Sequence, residues 1–161
     1  MAAQVAGCDA LITQDEISNA AAARGESAEK WLTPRTVRSM IESRYKSNGY
    51  LDYTVTPRPQ IDEAAGTVSY NMEIDPGPVY HLAFVKFDNV SDDLRKLLMR
   101  NWQMFPGDPF DQGYVANFVM MAQKADPVLM RSLAGVKATF DVQAGPETHQ
   151  VNCVIRFEKL H

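Results

Sequence analysis

The chain has 161 residues, 45% of them hydrophobic, and a formal net charge of −4. That is enough apolar material for one medium domain or two small ones. Lys and Arg are scattered rather than striped among aromatic residues, which argues against nucleic acid as a partner. No apolar run approaches the roughly 18 residues a membrane helix needs.

In chain order, Ala3 to Ile12 reads as a short, poorly formed first strand. Thr13 or Asp15 then caps a helix through Ile17 and Ala20 to Ala23, ending near Arg24-Gly25. "VAGC", Val5 to Cys8, has the form of a bacterial lipobox but lacks the charged and apolar regions that must precede one, so it reads as coincidence. With no targeting segment visible, either the chain is cytoplasmic or a leader was removed before Met1.

A second helix opens at Thr33, a good N-cap, with Pro34 at the first helical position. Val37, Met40 and Ile41 mark its apolar face, Lys46 sits in its last turn, and Asn48 or Gly49 provides a left-handed C-cap. Leu51, Tyr53 and Val55 then alternate with polar residues as one strand. After a turn over 62–66, Val68, Tyr70, Met72 and Ile74 alternate as another. Tyr45, Tyr50 and Tyr53 read chiefly as packing for the helix-to-hairpin corner, with an aromatic docking patch as the alternative. Pro76-Gly77-Pro78 reads as a short, stiff boundary.

The pattern then restarts. Val79 to Phe87 is a strand whose alternation slips near Phe84, as a bulge would cause. Ser91 caps a helix carrying Leu94, Leu97 and Leu98. "FPGDPF", Phe105 to Phe110, breaks it. Another helix begins near Asp111 with Tyr114, Val115, Phe118 and Val119 on one face, and Asp126-Pro127 opens either a kink or a short fresh helix. The methionines of "NFVMMAQ" read as core packing ahead of an adaptable binding surface. Gly135 ends the helical stretch. Val136 to Val142 and Gln150 to Lys159 form the closing pair of strands. Cys153 shares the inward side of the last strand with Val151 and Ile155 and reads as a buried free thiol rather than a bridge to Cys8.

Little here points to catalysis. His81, His149 and His161 are far apart and fit no zinc-ligand spacing. Asp92 and Asp93 are explained by the helix start they occupy. No Gly-rich phosphate loop or G-x-S-x-G elbow occurs. The expectation is no enzyme, no cofactor and no metal.

The fold class expected is α+β, in two repeats over 1–78 and 79–161. Each runs strand, helix, helix, strand, strand, with two helices on one face of a three-stranded mixed sheet. Three stretches resemble known motifs of one family. "YKSNGYLDYTV" is similar to the Y-x-x-x-G-Y corner of POTRA (polypeptide-transport-associated) domains. "MEIDPGPVYHLAFVKFDNV" resembles the passage from one such domain to the next, and "FPGDPFDQGYVANF" the loop that opens the second helix. Together they cover Thr33 to Phe118. The second unit departs from the pattern, with "ADPVLMRSLAGVKA" in place of the Gly-Tyr corner.

The resemblance implies a periplasmic or outer-membrane-associated scaffold. Its partners would be unfolded or extended polypeptide segments and envelope assembly proteins, as in outer-membrane barrel assembly or secretion. Any membrane contact would come through a barrel outside this chain. It also implies that the last strand of each unit is central and the strand before it has a free edge, over Leu51 to Thr56 and Val136 to Val142. Extended peptides would then add to Leu51, Tyr53 and Val55 or, better, to Lys137, Ala138, Thr139, Phe140 and Asp141, since Pro57 and Pro59 follow the first edge. The alternative is an envelope spacer or interaction module with no client chain.

Overall fold

The computed structural model describes residues 2–6, 11–22 and 33–159. The chain is α+β and divides into two compact units. One comprises Met1–Lys46 and Tyr50–Pro78, the other Ser47–Gly49 and Val79–His161. The ends of the first helix near Arg24-Gly25, the lipobox-like Cys8, and His161 lie outside the described residues.

The first unit contains β1 (Ala2–Ala6), α1 (Gln14–Ala22), α2 (Pro34–Lys46), β2 (Thr54–Asp62) and β3 (Thr67–Asp75). Its sheet order is β1-β3-β2, with β1 parallel and β2 antiparallel to the central β3. Thr13 caps α1 in a reciprocal box: the Glu16 N–H donates to the Thr13 hydroxyl at 3.2 Å, and the Thr13 N–H donates to the Glu16 carboxylate at 2.9 Å. Thr33 caps α2 by accepting from the Thr36 N–H at 3.3 Å. The 3.6-residue period of α2 buries Val37, Ile41 and Tyr45. With Ile12, Ile17, Val55 and Met72 they form the core of this unit. Tyr50 and Tyr53 pack their rings on Tyr45 at 5.4 and 5.8 Å, so the three tyrosines build the corner.

Two strand boundaries differ from the sequence reading. The first strand ends at Ala6, and Ile12 enters the core from the turn before α1. β2 begins at Thr54, not Leu51, and runs through both prolines to Asp62. Leu51 and Tyr53 therefore belong to the corner. Pro57 and Pro59 lie opposite Met72 and Tyr70 in an unbroken register. A proline is tolerated inside a ladder only where its nitrogen faces the outer side of an edge strand. β2 is such a strand, so the prolines do not end it.

The second unit contains β4 (His81–Asp88), α3 (Asp92–Asn101), α4 (Gln112–Ala125), α5 (Pro127–Ser132), β5 (Val136–Gly145) and β6 (Gln150–Lys159). Its sheet order is β4-β6-β5, again one parallel and one antiparallel pair about a central last strand. The expected slip in the first of these strands is a register shift between Leu82 and Phe84. Ser91, Asp111 and Asp126 cap α3, α4 and α5 through their side chains. The six-residue α5, with Pro127 in its first turn, is a third helix beyond the two expected per unit. It buries Leu129 and lets the chain turn into β5 at Gly135, whose φ is +70°.

An aromatic cluster fills this core. Phe118 of α4 stacks on Phe87 of β4 at 5.7 Å and meets Trp102 edge-on at 4.9 Å. Trp102 donates its indole N–H to the Met104 carbonyl, which satisfies its buried polar atom. Cys153 of β6 is free and fully buried. Burial pushes its thiol up to about 11, with the Asp141 charge adding to the shift. Since the thiolate is the reactive form, labelling of native protein at Cys153 should be slow and should become fast on unfolding. Peptide mapping after a timed exposure to a maleimide checks this. Fast labelling of folded protein at Cys153 would overturn the inward register of β6.

Candidate peptide-binding edge

A three-stranded sheet has two edges, and each edge presents main-chain groups that need partners. Hydrogen bonds around β4 fix which residues of the second sheet point outward. The His81 N–H donates to the His149 carbonyl at 2.9 Å, so that carbonyl faces β4. Main-chain groups alternate sides along a strand. The N–H and C=O of Gln150, and of each second residue after it in β6, therefore face β5. The β5–β6 register is unbroken and opposes Gln150 with Gly145, Val154 with Asp141, and Arg156 with Thr139. Lys137, Thr139, Asp141 and Gln143 thus bond inward to β6. Ala138, Phe140 and Val142 turn their N–H and C=O to the open edge.

The opposite edge of this sheet is occupied at its start, along Tyr80 and Leu82. The segment 107–110 lies against β4: the Leu82 N–H donates to the Asp108 carbonyl at 2.9 Å, and the Gly107 and Phe110 N–H groups donate to the Leu82 and Tyr80 carbonyls at 2.8 and 2.9 Å. Gly107 makes this approach with φ +94°. Further along, the Arg95 guanidinium donates to the Phe87 carbonyl at 3.4 Å. No corresponding bond reaches Ala138, Phe140 or Val142 among the described residues.

In the first sheet, Pro57 and Pro59 remove two successive outward donors from β2. Arg58, between them, pairs its guanidinium with Glu73 at 2.6 Å. Of the residues expected along this edge, only Val55 lies in β2, and its side chain is buried in the core. Tyr53 packs on Tyr45 and hydrogen-bonds Glu42. All five residues expected on the second edge lie in β5, but they divide by parity. Ala138 and Phe140 present main-chain groups outward; Lys137, Thr139 and Asp141 do not.

Beside the open edge runs a groove of about 260 Å³. Val115, Ala116, Val119, Met120 and Gln123 of α4 line one side, Ala138, Thr139 and Phe140 of β5 the other, with Ile155 of β6, so the lining is mixed apolar and polar. Met120 and Phe140 are 48% and 41% exposed, large values for apolar side chains. Met121 is likewise exposed at 40%, so the paired methionines are surface residues and not the core packing their sequence context suggested. On the other face of β5, Asp141 approaches Arg156 at 3.6 Å and accepts from the Gln143 amide at 3.1 Å. No group of three or more His, Cys, Asp or Glu side chains able to hold a metal occurs among the described residues.

No protein-family model matches the chain, and no curated protein matches it by sequence. Among the solved structures that share its fold are two from Haemophilus. BamA from Haemophilus ducreyi lacking POTRA domains 1-3 is 20% identical, with 80% of this chain and 24% of that one covered and a TM-score of 0.55. POTRA3-5 of Haemophilus influenzae BamA is 14% identical, with 98% and 60% covered and a TM-score of 0.57. The chain thus spans less than two thirds of the length of either. The fold is the POTRA fold, as the three sequence motifs implied.

Proposed function

We propose that this chain is a POTRA scaffold of the bacterial envelope that binds extended polypeptide segments by strand addition along β5. The observation that carries this reading is the contrast among edges. β4 is covered at its start by 107–110 and met near its end by Arg95, β2 is blunted by prolines, and β5 offers the outward groups of Ala138, Phe140 and Val142 along its length. Main-chain pairing is nearly independent of side chains, which suits a partner that handles many sequences. The likeness to BamA POTRA domains supports a periplasmic setting and a place in outer-membrane protein assembly or secretion. The role is that of a binding scaffold and not an enzyme. Any contact with the membrane would come through another part of the assembly.

A spacer role without a client suits the first unit better than the second, because Pro57 and Pro59 deny its β2 edge a continuous ladder. The two units would then divide the work, one positioning and one binding.

Extended peptides should bind the second unit with Kd values between about 1 μM and 1 mM, about −8 to −4 kcal/mol. Ala138→Pro removes an outward donor and sets a ring in the path of an added strand, while costing no bond to β6. In an NMR titration the parent should show shifts along 136–142, and folded Ala138→Pro should bind at least about tenfold more weakly. Equal binding by the two proteins sinks strand addition at this edge.

A further inference from the structure

Asn48 is the one asparagine of the chain followed by glycine. It is exposed, in the turn directly after α2, whereas Gly49 beside it is buried. The Tyr50 N–H donates to the Tyr45 carbonyl at 3.0 Å and Gly49 has φ +84°, the pattern of a helix closed by a left-handed residue. Asn48 therefore stands at the C-terminal end of α2. Ser47–Gly49 belong with the second unit, and there they are held on two sides. The Gly49 carbonyl accepts from the Tyr80 N–H at 2.8 Å, and the Tyr80 carbonyl accepts in turn from the Phe110 N–H at 2.9 Å. A Cβ on Gly49 would lie 2.7 Å from the Tyr80 oxygen, and one on Gly113 of α4 would lie 2.5 Å from the Ser47 hydroxyl. The chain is thus closely fitted from Ser47 to Gly49.

We propose that Asn48–Gly49 is a deamidation site whose reaction is held back by this clamp and whose product cannot restore it. The Gly49 main-chain nitrogen attacks Cγ of the Asn48 side chain. The new C–N bond closes a succinimide ring, and the side-chain nitrogen leaves as ammonia. Water then opens the ring at one carbonyl to give aspartate, or at the other to give isoaspartate, in which the chain runs through the former side chain. One water is consumed and one ammonia released, with no oxidant or reductant. Glycine permits the attack because no Cβ shields its nitrogen. Every other asparagine precedes a residue with a side chain, such as Val90, Trp102 or Phe118, which crowds the approach. The attack needs rotation about the Asn48 Cα–C bond. That rotation moves Gly49, which is tied by its bond to Tyr80 and by the close fit of its Cα against the Tyr80 oxygen. The reaction therefore proceeds from states in which the clamp is open, and its rate records how often they occur. Isoaspartate lengthens the main chain by a methylene between α2 and Gly49. It also leaves a carboxylate at the helix C-terminus, where the dipole disfavours it. Gly49 then no longer reaches the position from which its carbonyl meets Tyr80, and a reversible opening becomes permanent. This concerns the corner and is independent of the strand-addition reading.

The test incubates the full chain at mildly alkaline pH, folded and in unfolding urea, and follows Asn48 by peptide mapping. In urea Asn48 should convert faster than every other asparagine. In the folded chain its conversion should be at least about tenfold slower, the protection that an opening equilibrium imposes. In the isolated isoaspartyl form the Tyr80 amide should exchange with deuterium at least about tenfold faster than in the unmodified chain, as loss of its hydrogen bond requires. Asn48→Asp, which adds the charge without the methylene, should change that exchange by less than about threefold. Asn48→Ser, at an exposed position, should hold its Tyr80 exchange constant throughout the incubation. Equal conversion in folded and unfolded chain overturns the gating by the clamp. Unchanged Tyr80 exchange in the isoaspartyl form, or a larger change in Asn48→Asp, overturns release by chain lengthening. Another asparagine leading in urea, or a drift of Tyr80 exchange in Asn48→Ser, overturns the site itself.

Discussion

Phe118→Ala is expected to destabilise the second unit by about 3–5 kcal/mol. Phe118 is 1% exposed and lies at the centre of the aromatic cluster, with ring centroids 5.7 Å from Phe87, 4.9 Å from Trp102 and 5.9 Å from Tyr114. Truncation removes the transfer energy of the ring and leaves a cavity whose walls are other rings, which do not collapse easily. It also removes the contact by which α4 holds β4. In a unit of this size each kcal/mol shifts Tm by about 4–8 °C, so the variant should melt at least about 12 °C lower. Urea denaturation followed by amide signals of β4 and β6 gives the free energy directly. A loss below about 1 kcal/mol would mean that the cluster is loosely packed, and the placement of α4 over the sheet would be wrong.

Where a residue has a local task, that task was readable. Thr33-Pro34 and Ser91 start helices because their side chains satisfy N–H groups that a helix leaves free. Asp126-Pro127 starts α5 for the same reason. Gly49 ends the turn after α2 with φ +84°, and a Cβ there would lie 2.7 Å from the Tyr80 carbonyl, so only glycine fits. The alternation of β3 and β6 placed Met72, Val151, Cys153 and Ile155 in the core correctly.

What stayed hidden depends on partners distant in the chain. Pro57 and Pro59 read as the end of a strand because local rules cannot say that β2 is an edge with those nitrogens outward. The pairing of 107–110 with β4 is made by main chain alone and leaves no alternation to detect. Met120 and Met121 fall in a helix with apolar residues on several sides, so periodicity does not tell which of them the sheet covers. The Glu16–Arg44 pair, 2.9 Å apart, joins two helices and has no spacing rule behind it. The outward set of β5 was undecidable for a related reason. It is fixed by the bond from His81 to His149, which involves a different strand.

That parity makes the second strong prediction. Thr139 and Ala138 are adjacent in one strand, yet proline should affect them very differently. Thr139 lies opposite Arg156 with its N–H directed to β6, so Thr139→Pro removes a ladder bond, leaves its acceptor unpaired and forces a ring into the sheet, together costing about 3 kcal/mol. Ala138 lies opposite Phe157 with its N–H at the open edge, and Ala138→Pro costs only the adjustment of φ, about 1 kcal/mol, which a stiffer unfolded chain partly offsets. The two variants should therefore differ by at least about 2 kcal/mol, roughly thirtyfold in the folding equilibrium. Urea midpoints at matched slopes measure the difference. If Ala138→Pro is the more damaging, the outward groups belong to Lys137, Thr139 and Asp141. A client would then pair its main chain with those residues instead of with Ala138, Phe140 and Val142.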